Sequence, residues 1–353
     1  MSDEHDVITK EQPPFNSTII KKGVFYFMVI SIISMVSVFL YTNTGNTIEV
    51  WKGIEFKYIF FALFLMFFEL LIGGYRNHIF VRELYPGKSH WVSIKANLAN
   101  IFMGAVTPSQ SGGGLAQMYI FHKNGIKFGD ALTISFINWI TTLTFLPISG
   151  YIAYQIIKDK ISGVFINYLA QFGLTVFGIL FVVLFIAIVF PSFISWIIQK
   201  LSKVVGKVNN KWQSKIETAG SKAKDSLVEY RNKCGHLLHH KPILFVFTFL
   251  LTTILYFSKY LMGYVVVLAL GVEIDFATVA AVQSLVFLLL YFAPSPGASG
   301  IAEFTIAGLM TGILSNDYIP TFTLMSRSFL IFLPAIIGSV IVLRELKKYS
   351  EQQ

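Results

Sequence analysis

The sequence predicts an all-α polytopic membrane protein, with six full spans and two re-entrant helical hairpins arranged as an inverted repeat. Three observations carry that prediction. Hydrophobic residues make up 54% of the 353, with 34 Phe among them, and charged residues only 13%, about half of what soluble domains carry. Apolar runs recur at close to the roughly 20 residues that cross a bilayer. One Gly/Pro-broken motif occurs twice, in register with the apolar runs around it.

Residues 1–22 form a polar, partly acidic tail without the charged start and small-residue cleavage site of a signal peptide. The first span is therefore expected to be retained. Full spans are expected near 24–42, 58–80, 129–155, 164–190, 242–270 and 320–343. Two further apolar stretches, 91–106 and 277–293, each run into a Gly/Pro break and resume as short apolar pieces, 112–122 and 299–314. Neither half of either stretch is long enough to span alone. The expected organisation is a tail (1–22), a first repeat (23–160) with hairpin 91–123, a second repeat (161–345) with hairpin 277–314, and a tail (346–353). Cys234 is the only cysteine, which excludes an intrachain disulfide and any multi-Cys metal site.

Lys and Arg set the expected orientation. Lys10, Lys21 and Lys22 precede the first span, Arg82 and Lys88 follow the second, and Arg344, Lys347 and Lys348 close the last. Segment 191–241 holds ten Lys or Arg against Glu217, Asp225 and Glu229, so it supplies +7 of the chain's +9. All these basic segments fall on one side if both broken stretches are re-entrant. Both termini are then cytoplasmic, the first hairpin enters from the cytoplasm, and the second enters from outside. Within 191–241, Leu201, Val204, Val208, Trp212 and Ile216 recur at helical spacing with Lys between. That pattern fits an amphipathic helix on the anionic inner leaflet. The membrane accounts for the charge, so no nucleic-acid partner is expected.

The repeat aligns "PSQSGGGLAQM" (108–118) with "PSPGASGIAEF" (294–304) without a gap, at 294 − 108 = 186. Pro108 meets Pro294, Ser109 meets Ser295, Gly114 meets Gly300, and Gln117 meets Glu303. The same offset carries 58–80 to 244–266, 91–106 to 277–292 and 129–155 to 315–341. Three full spans, an odd number, separate the motifs, so the halves should be inverted. Broken helices expose backbone groups that hydrocarbon cannot satisfy; they are tolerated only inside protein or beside a wet cavity. Inverted repeats with such breaks near mid-membrane mark transporters. Pro108, Gly112, Gly113 and Gly114 on one side, and Pro294, Pro296, Gly297 and Gly300 on the other, are expected to form two facing tips.

These motifs carry a family resemblance. "TPSQSGGGLAQMYIFHKNGI", "PSPGASGIAEF" and "SRSFLIFLPAIIG" (326–338), with "YRNHIFVREL" (75–84), make residues 20–345 resemble the transmembrane region of bacterial lysylphosphatidylglycerol synthase/flippases, the multiple peptide resistance factors. The resemblance implies lipid transport in a bacterial plasma (inner) membrane. Fused members carry an aminoacyl-transferase domain that this sequence lacks, so enzymatic lysyl transfer is not expected. Where the family's first motif often carries a charge, this chain has Gln117, which shifts weight to Glu303.

Intramembrane charge costs about 2.5–3.5 kcal/mol and needs a partner or a cavity. Glu69 reads as a headgroup or proton site, or as half of a structural pair. Arg76, two turns on, shares its face and either completes a polar stripe or snorkels. Glu303 reads as a headgroup or proton acceptor, or as a cap on the broken helix. Arg327 offers a planar fork for a lipid phosphate, or a salt bridge to Glu303. Lys95, Asn97 and Asn100 dot the first arm of the first hairpin, and at least one should face water. Ser109, Gln110 and Ser295 offer either a backbone cradle for phosphate or plain turn chemistry. Lys259 is expected to snorkel outward. The expectation is a flippase for a polar-headed lipid, anionic or aminoacylated, without cofactor or metal. Rival readings are a transporter or channel for a small soluble solute, and a scaffold for a separate lipid-modifying enzyme. The sequence leaves a homo-oligomer open.

Overall fold

A computed structural model describes residues 17–42, 47–160, 164–189 and 239–350 apart from Phe292. Between 190 and 238 it describes only Trp196, Lys200, Ser202, Val228, Asn232 and 234–237. The tail before Ser17, most of the basic segment 191–241 and residues 351–353 lie outside the described residues. The described chain is helical, and the protein is a multi-pass membrane protein. Among the described residues, five helices are long and apolar enough to cross a membrane: Ile20–Tyr41, Phe56–Leu84, Phe128–Ile157, Pro242–Ala269 and Ile319–Glu345. Their outer faces carry exposed Phe25, Phe39, Phe60, Phe64, Leu250 and Phe257, an apolar surface suited to lipid and not to water.

In chain order, α1 (Ser17–Tyr41) is followed by a short α2 (Thr47–Lys52), α3 (Phe56–Leu84) and the first hairpin, α4 (His90–Val106) and α5 (Ser111–Lys123). Next come α6 (Phe128–Ile157) and α7 (Val164–Val189), an apolar helix at the place expected for the fourth span. The second half repeats the pattern with α8 (Pro242–Ala269), the pair α9 (Phe276–Leu290) and α10 (Ile301–Met310), then α11 (Ile319–Arg327) and α12 (Leu333–Ser350). The first arms start alike. Ser89 caps α4 by accepting from the Trp91 N–H, and Asp275 caps α9 by accepting from the Thr278 N–H; 275 − 89 gives the repeat offset of 186 again.

The central packing joins α3 to its counterpart α8; α4 packs on α12, and α9 packs on α6. Small residues allow the close approaches. A Cβ on Gly338 of α12 would lie 2.3 Å from the Leu98 carbonyl oxygen of α4, and one on Gly150 of α6 would lie 3.0 Å from Leu288 of α9. Between α11 and α12, Ser328–Phe332 form a π-turn. Pro334 follows it and cannot donate to the carbonyl four residues back, which breaks the regular ladder.

The tips differ in detail from the gapless alignment. The first turn is Pro108–Gln110, with Ser109 and Gln110 at φ of 51° and 55°; the second is Pro296–Ala298, with Gly297 and Ala298 both at 56°. The left-handed pairs are therefore 297 − 109 = 188 apart, so Pro108 corresponds to Pro296 and not to Pro294. Left-handed backbone at non-glycine residues costs roughly 1–2 kcal/mol each and persists where surrounding structure enforces it. The glycines of the first motif are also not at the bend. Gly112 and Gly113 begin α5, where a Cβ would meet Thr107 and Asn100 at 2.7 Å. They let α5 lie against α4. Gly114 faces open space.

Candidate functional site

The two turns touch, and a cavity of about 190 Å³ lies where they meet. Its wall takes Gln110 from the first turn and Gly297 and Ala298 from the second. Asn100, Glu69, Lys259 and Arg327 face it from α4, α3, α8 and α11. Two acid–base pairs sit at this level, each made by helices that lie far apart in sequence.

The first pair is Glu303 with Arg327, 0% and 3% exposed. Glu303 begins α10, and its Oε2 accepts from the Gly300 N–H at 2.7 Å. Its Oε1 accepts from Arg327 Nε at 3.0 Å. Arg327 Nη2 donates to the Gly297 carbonyl at 2.9 Å. One arginine thus ties the last span to the second turn and to the helix that follows it. Nε and Nη2 make these bonds; Nη1 makes none of them, and Arg327 lines the cavity. The cap and the salt bridge that the sequence offers as alternatives to ligand binding are both present. The turn is fixed further by a Ser31–Ser299 hydroxyl bond of 2.7 Å to α1.

The second pair corrects the expectation for Lys259. Its ammonium does not snorkel; it turns inward and donates to Glu69 Oε1. Glu69 Oε2 is buried without a protein partner. Beside it Gln283 of α9, 0% exposed and lining the cavity, has neither amide oxygen nor amide nitrogen paired. Unpaired buried polar atoms each cost about 1–3 kcal/mol. Their concentration here calls for water or a ligand.

Elsewhere the structure disperses the expected residues. Arg76 Nη1 donates to Thr142 and Thr252, both at 3.1 Å, inside the bundle, and does not itself line the cavity. It neither snorkels nor pairs with Glu69. Gln117 is buried and fully engaged: it accepts from Asn100 at 2.7 Å and donates to Asn77 and Ser135 at 3.0 Å. Asn138 also donates to Asn77, at 2.7 Å. An amide ladder thus ties α4, α5, α3 and α6 together in the first half. Asn97 donates to the Leu70 carbonyl and sits against Gly73. Lys95 is exposed and does not line the cavity. Ser109 is exposed, and Ser295 Oγ is buried without a partner, yet neither lines the cavity.

The residues missed from sequence are Lys259, Gln283, Tyr256 and Tyr291, all on the cavity wall. The repeat offset holds a signal for one of them. Asn97 plus 186 is Gln283, and as Asn97 abuts Gly73, Gln283 abuts Gly263. Read as a pair, the two amides on the two first arms mark one position.

The lysylphosphatidylglycerol synthase transmembrane region matches residues 26–338, from α1 to the Gly338 contact. The chain is also similar to a UPF0104 membrane protein of Archaeoglobus fulgidus, 24% identical over 294 residues, covering 83% of this chain and 87% of that protein. The matched stretch includes both turns, both buried pairs and the central helix contact, so the chain belongs to the lysylphosphatidylglycerol synthase transmembrane-region family.

Proposed function

We propose that the protein is a flippase that moves a polar-headed phospholipid between leaflets by alternating access. In this reading α4–α5 and α9–α10 are re-entrant hairpins of an inverted repeat in a bacterial plasma membrane, with both termini cytoplasmic. The 191–241 segment rests on the anionic inner leaflet. The observation that carries the reading is the cavity itself. It lies at the junction of two broken helices and holds Arg327 beside Glu303, Lys259 beside Glu69, and an unpaired Gln283. Broken helices meeting at a polar site are how transporters hold a substrate at mid-membrane.

The chemistry of the wall fits a headgroup. Arg327 and Lys259 offer donors to a phosphate, and Glu69 Oε2 offers an acceptor to an amine or hydroxyl. The two pairs cancel in net charge, so a headgroup trades places with an existing partner and no bare charge is left in hydrocarbon. The symmetric contacts of α4 with α12 and of α9 with α6 provide two similar units that can rock about the α3–α8 core.

The test is leaflet exposure of fluorescent phospholipids in proteoliposomes, across phosphatidylglycerol, lysyl-phosphatidylglycerol, phosphatidylethanolamine and phosphatidylcholine. The wild type is expected to expose at least one of them, and Lys259→Met and Arg327→Ala to lose that exposure. A wild type that matches empty liposomes for every probe overturns the proposal. Uptake of a soluble solute in the same vesicles, without lipid movement, points to a solute transporter.

A further inference from the structure

A second cavity, of about 790 Å³, runs outside the polar one between α1, α4 and α12. It falls within the roughly 300–1,000 Å³ of ligand sites. Its wall is apolar: Phe25, Met28, Ile32, Phe102, Phe332 and Ile336 contribute, among others. Its two hydroxyls are already bonded, Ser31 with Ser299 and Ser339 to the Ile336 carbonyl. The one charged residue is Lys21, exposed near the start of α1.

The dimensions match a lipid chain. From Ile20 to Ile32 the groove follows α1 for 12 residues, or about 18 Å. Half of a ~30 Å hydrocarbon core is about 15 Å. The Lys21 end lies beside Leu343, which precedes Arg344. The other end reaches the second turn, where Phe27 packs against Gly297 and sits edge-to-face on Phe332 at 5.6 Å. Arg327 lies over the Phe332 ring, 5.4 Å from its centre. A chain in the groove thus ends beside the headgroup cavity, with two aromatic rings between.

We infer that this groove seats one acyl chain of an anionic phospholipid of the cytoplasmic leaflet, with its phosphate at Lys21. The inference rests on the lipid reading above and adds where the substrate waits before its headgroup enters the cavity. Lys21 supplies charge complementarity at the depth of the phosphate, and the bonded hydroxyls leave the floor apolar.

The test is photo-crosslinking in phosphatidylcholine vesicles, with phosphatidylglycerol or phosphatidylcholine carrying a diazirine on one acyl chain. Labelling needs no transport, so its outcome is independent of whether any lipid is moved. Crosslinks of the phosphatidylglycerol probe are expected at 20–32 and 332–343. Lys21→Gln, at an exposed position, should lower that labelling about fivefold and leave the phosphatidylcholine probe unchanged. Ser339→Leu, which narrows the groove, should reduce labelling by both probes. Labelling spread evenly over the outer faces of α3 and α8 overturns the inference, as does an anionic preference that survives Lys21→Gln.

Discussion

Glu303→Gln tests how the second turn is held. Glu303 uses both oxygens, one for Arg327 Nε and one for the Gly300 N–H. In the glutamine variant one oxygen becomes an NH2 group, so one of those two donors faces another donor. Arg327, 3% exposed, also loses its counter-charge. Removing one partner of a buried pair costs about 3–5 kcal/mol. Replacing both, with Glu303→Leu and Arg327→Met, leaves no buried charge and should recover part of that. The Gly297 carbonyl still loses its donor and the Gly300 N–H its acceptor, each at about 1–3 kcal/mol where it stays buried. Cys234 provides the assay. It is the only cysteine, and burial pushes its thiol from 9.0 up to about 11. Unfolding returns it to its ordinary value and raises the reactive thiolate about a hundredfold near neutral pH, so a maleimide dye reports the melt of detergent-purified protein. Glu303→Gln should melt well below wild type, with the double variant between them. Equal melting of wild type and Glu303→Gln, or a double variant less stable than the single, refutes the reasoning. The thiol also sets a pH trend. Its folded value is raised, so its contribution is present below pH 9 and is lost as pH rises toward 11; melts across that window should show a fall in stability that is shallower in Cys234→Ala.

Gln117→Glu should destabilise this chain by about 3 kcal/mol. It sets a carboxylate oxygen against Asn77 Oδ1, which already accepts from Asn138; the same melt measures it, and an unchanged midpoint contradicts the amide ladder. Gly338→Ala should cost about 1–3 kcal/mol or prevent folding, because its Cβ meets the Leu98 carbonyl. Gly178→Ala, where nothing lies within 4 Å, should be neutral, and the two are compared by yield and melt. Lys259→Met strands the Glu69 carboxylate and should lower stability by about 3–5 kcal/mol, with Glu69→Gln/Lys259→Met recovering part of it; additive losses in the double variant would rule out the coupling. In a Cys234→Ser background, Lys127→Cys should react with an impermeant maleimide only from the cytoplasm and Asn316→Cys only from outside; the same side for both breaks the inverted arrangement.

Much of the fold follows from local information. Apolar length marks α1, α3, α6, α8 and the last span. Pro108 and Pro296 each open a turn, and caps at Ser89 and Asp275 start the arms after them. The site was legible only in part. Glu303 and Arg327 stand out because charge in an apolar segment is rare. The sequence could not say whether their oxygens and nitrogens face a ligand or each other. Lys259 misled for a related reason: a long stem in the outer half of a span can reach water or the interior, and its partner lies 190 residues away.

The sequence by itself determined what hydrocarbon enforces: which segments are apolar enough to be helical, and that two of them run into a Gly/Pro break. The tertiary structure decided which polar groups meet. It turned Lys259 onto Glu69, gave Gln117 to an amide ladder, and moved the turn register by two residues. Apolar burial acts on segments and leaves a periodic trace in the chain. Ion pairs and amide bonds act over a few ångströms between residues far apart in sequence, so they exist only once the helices have packed.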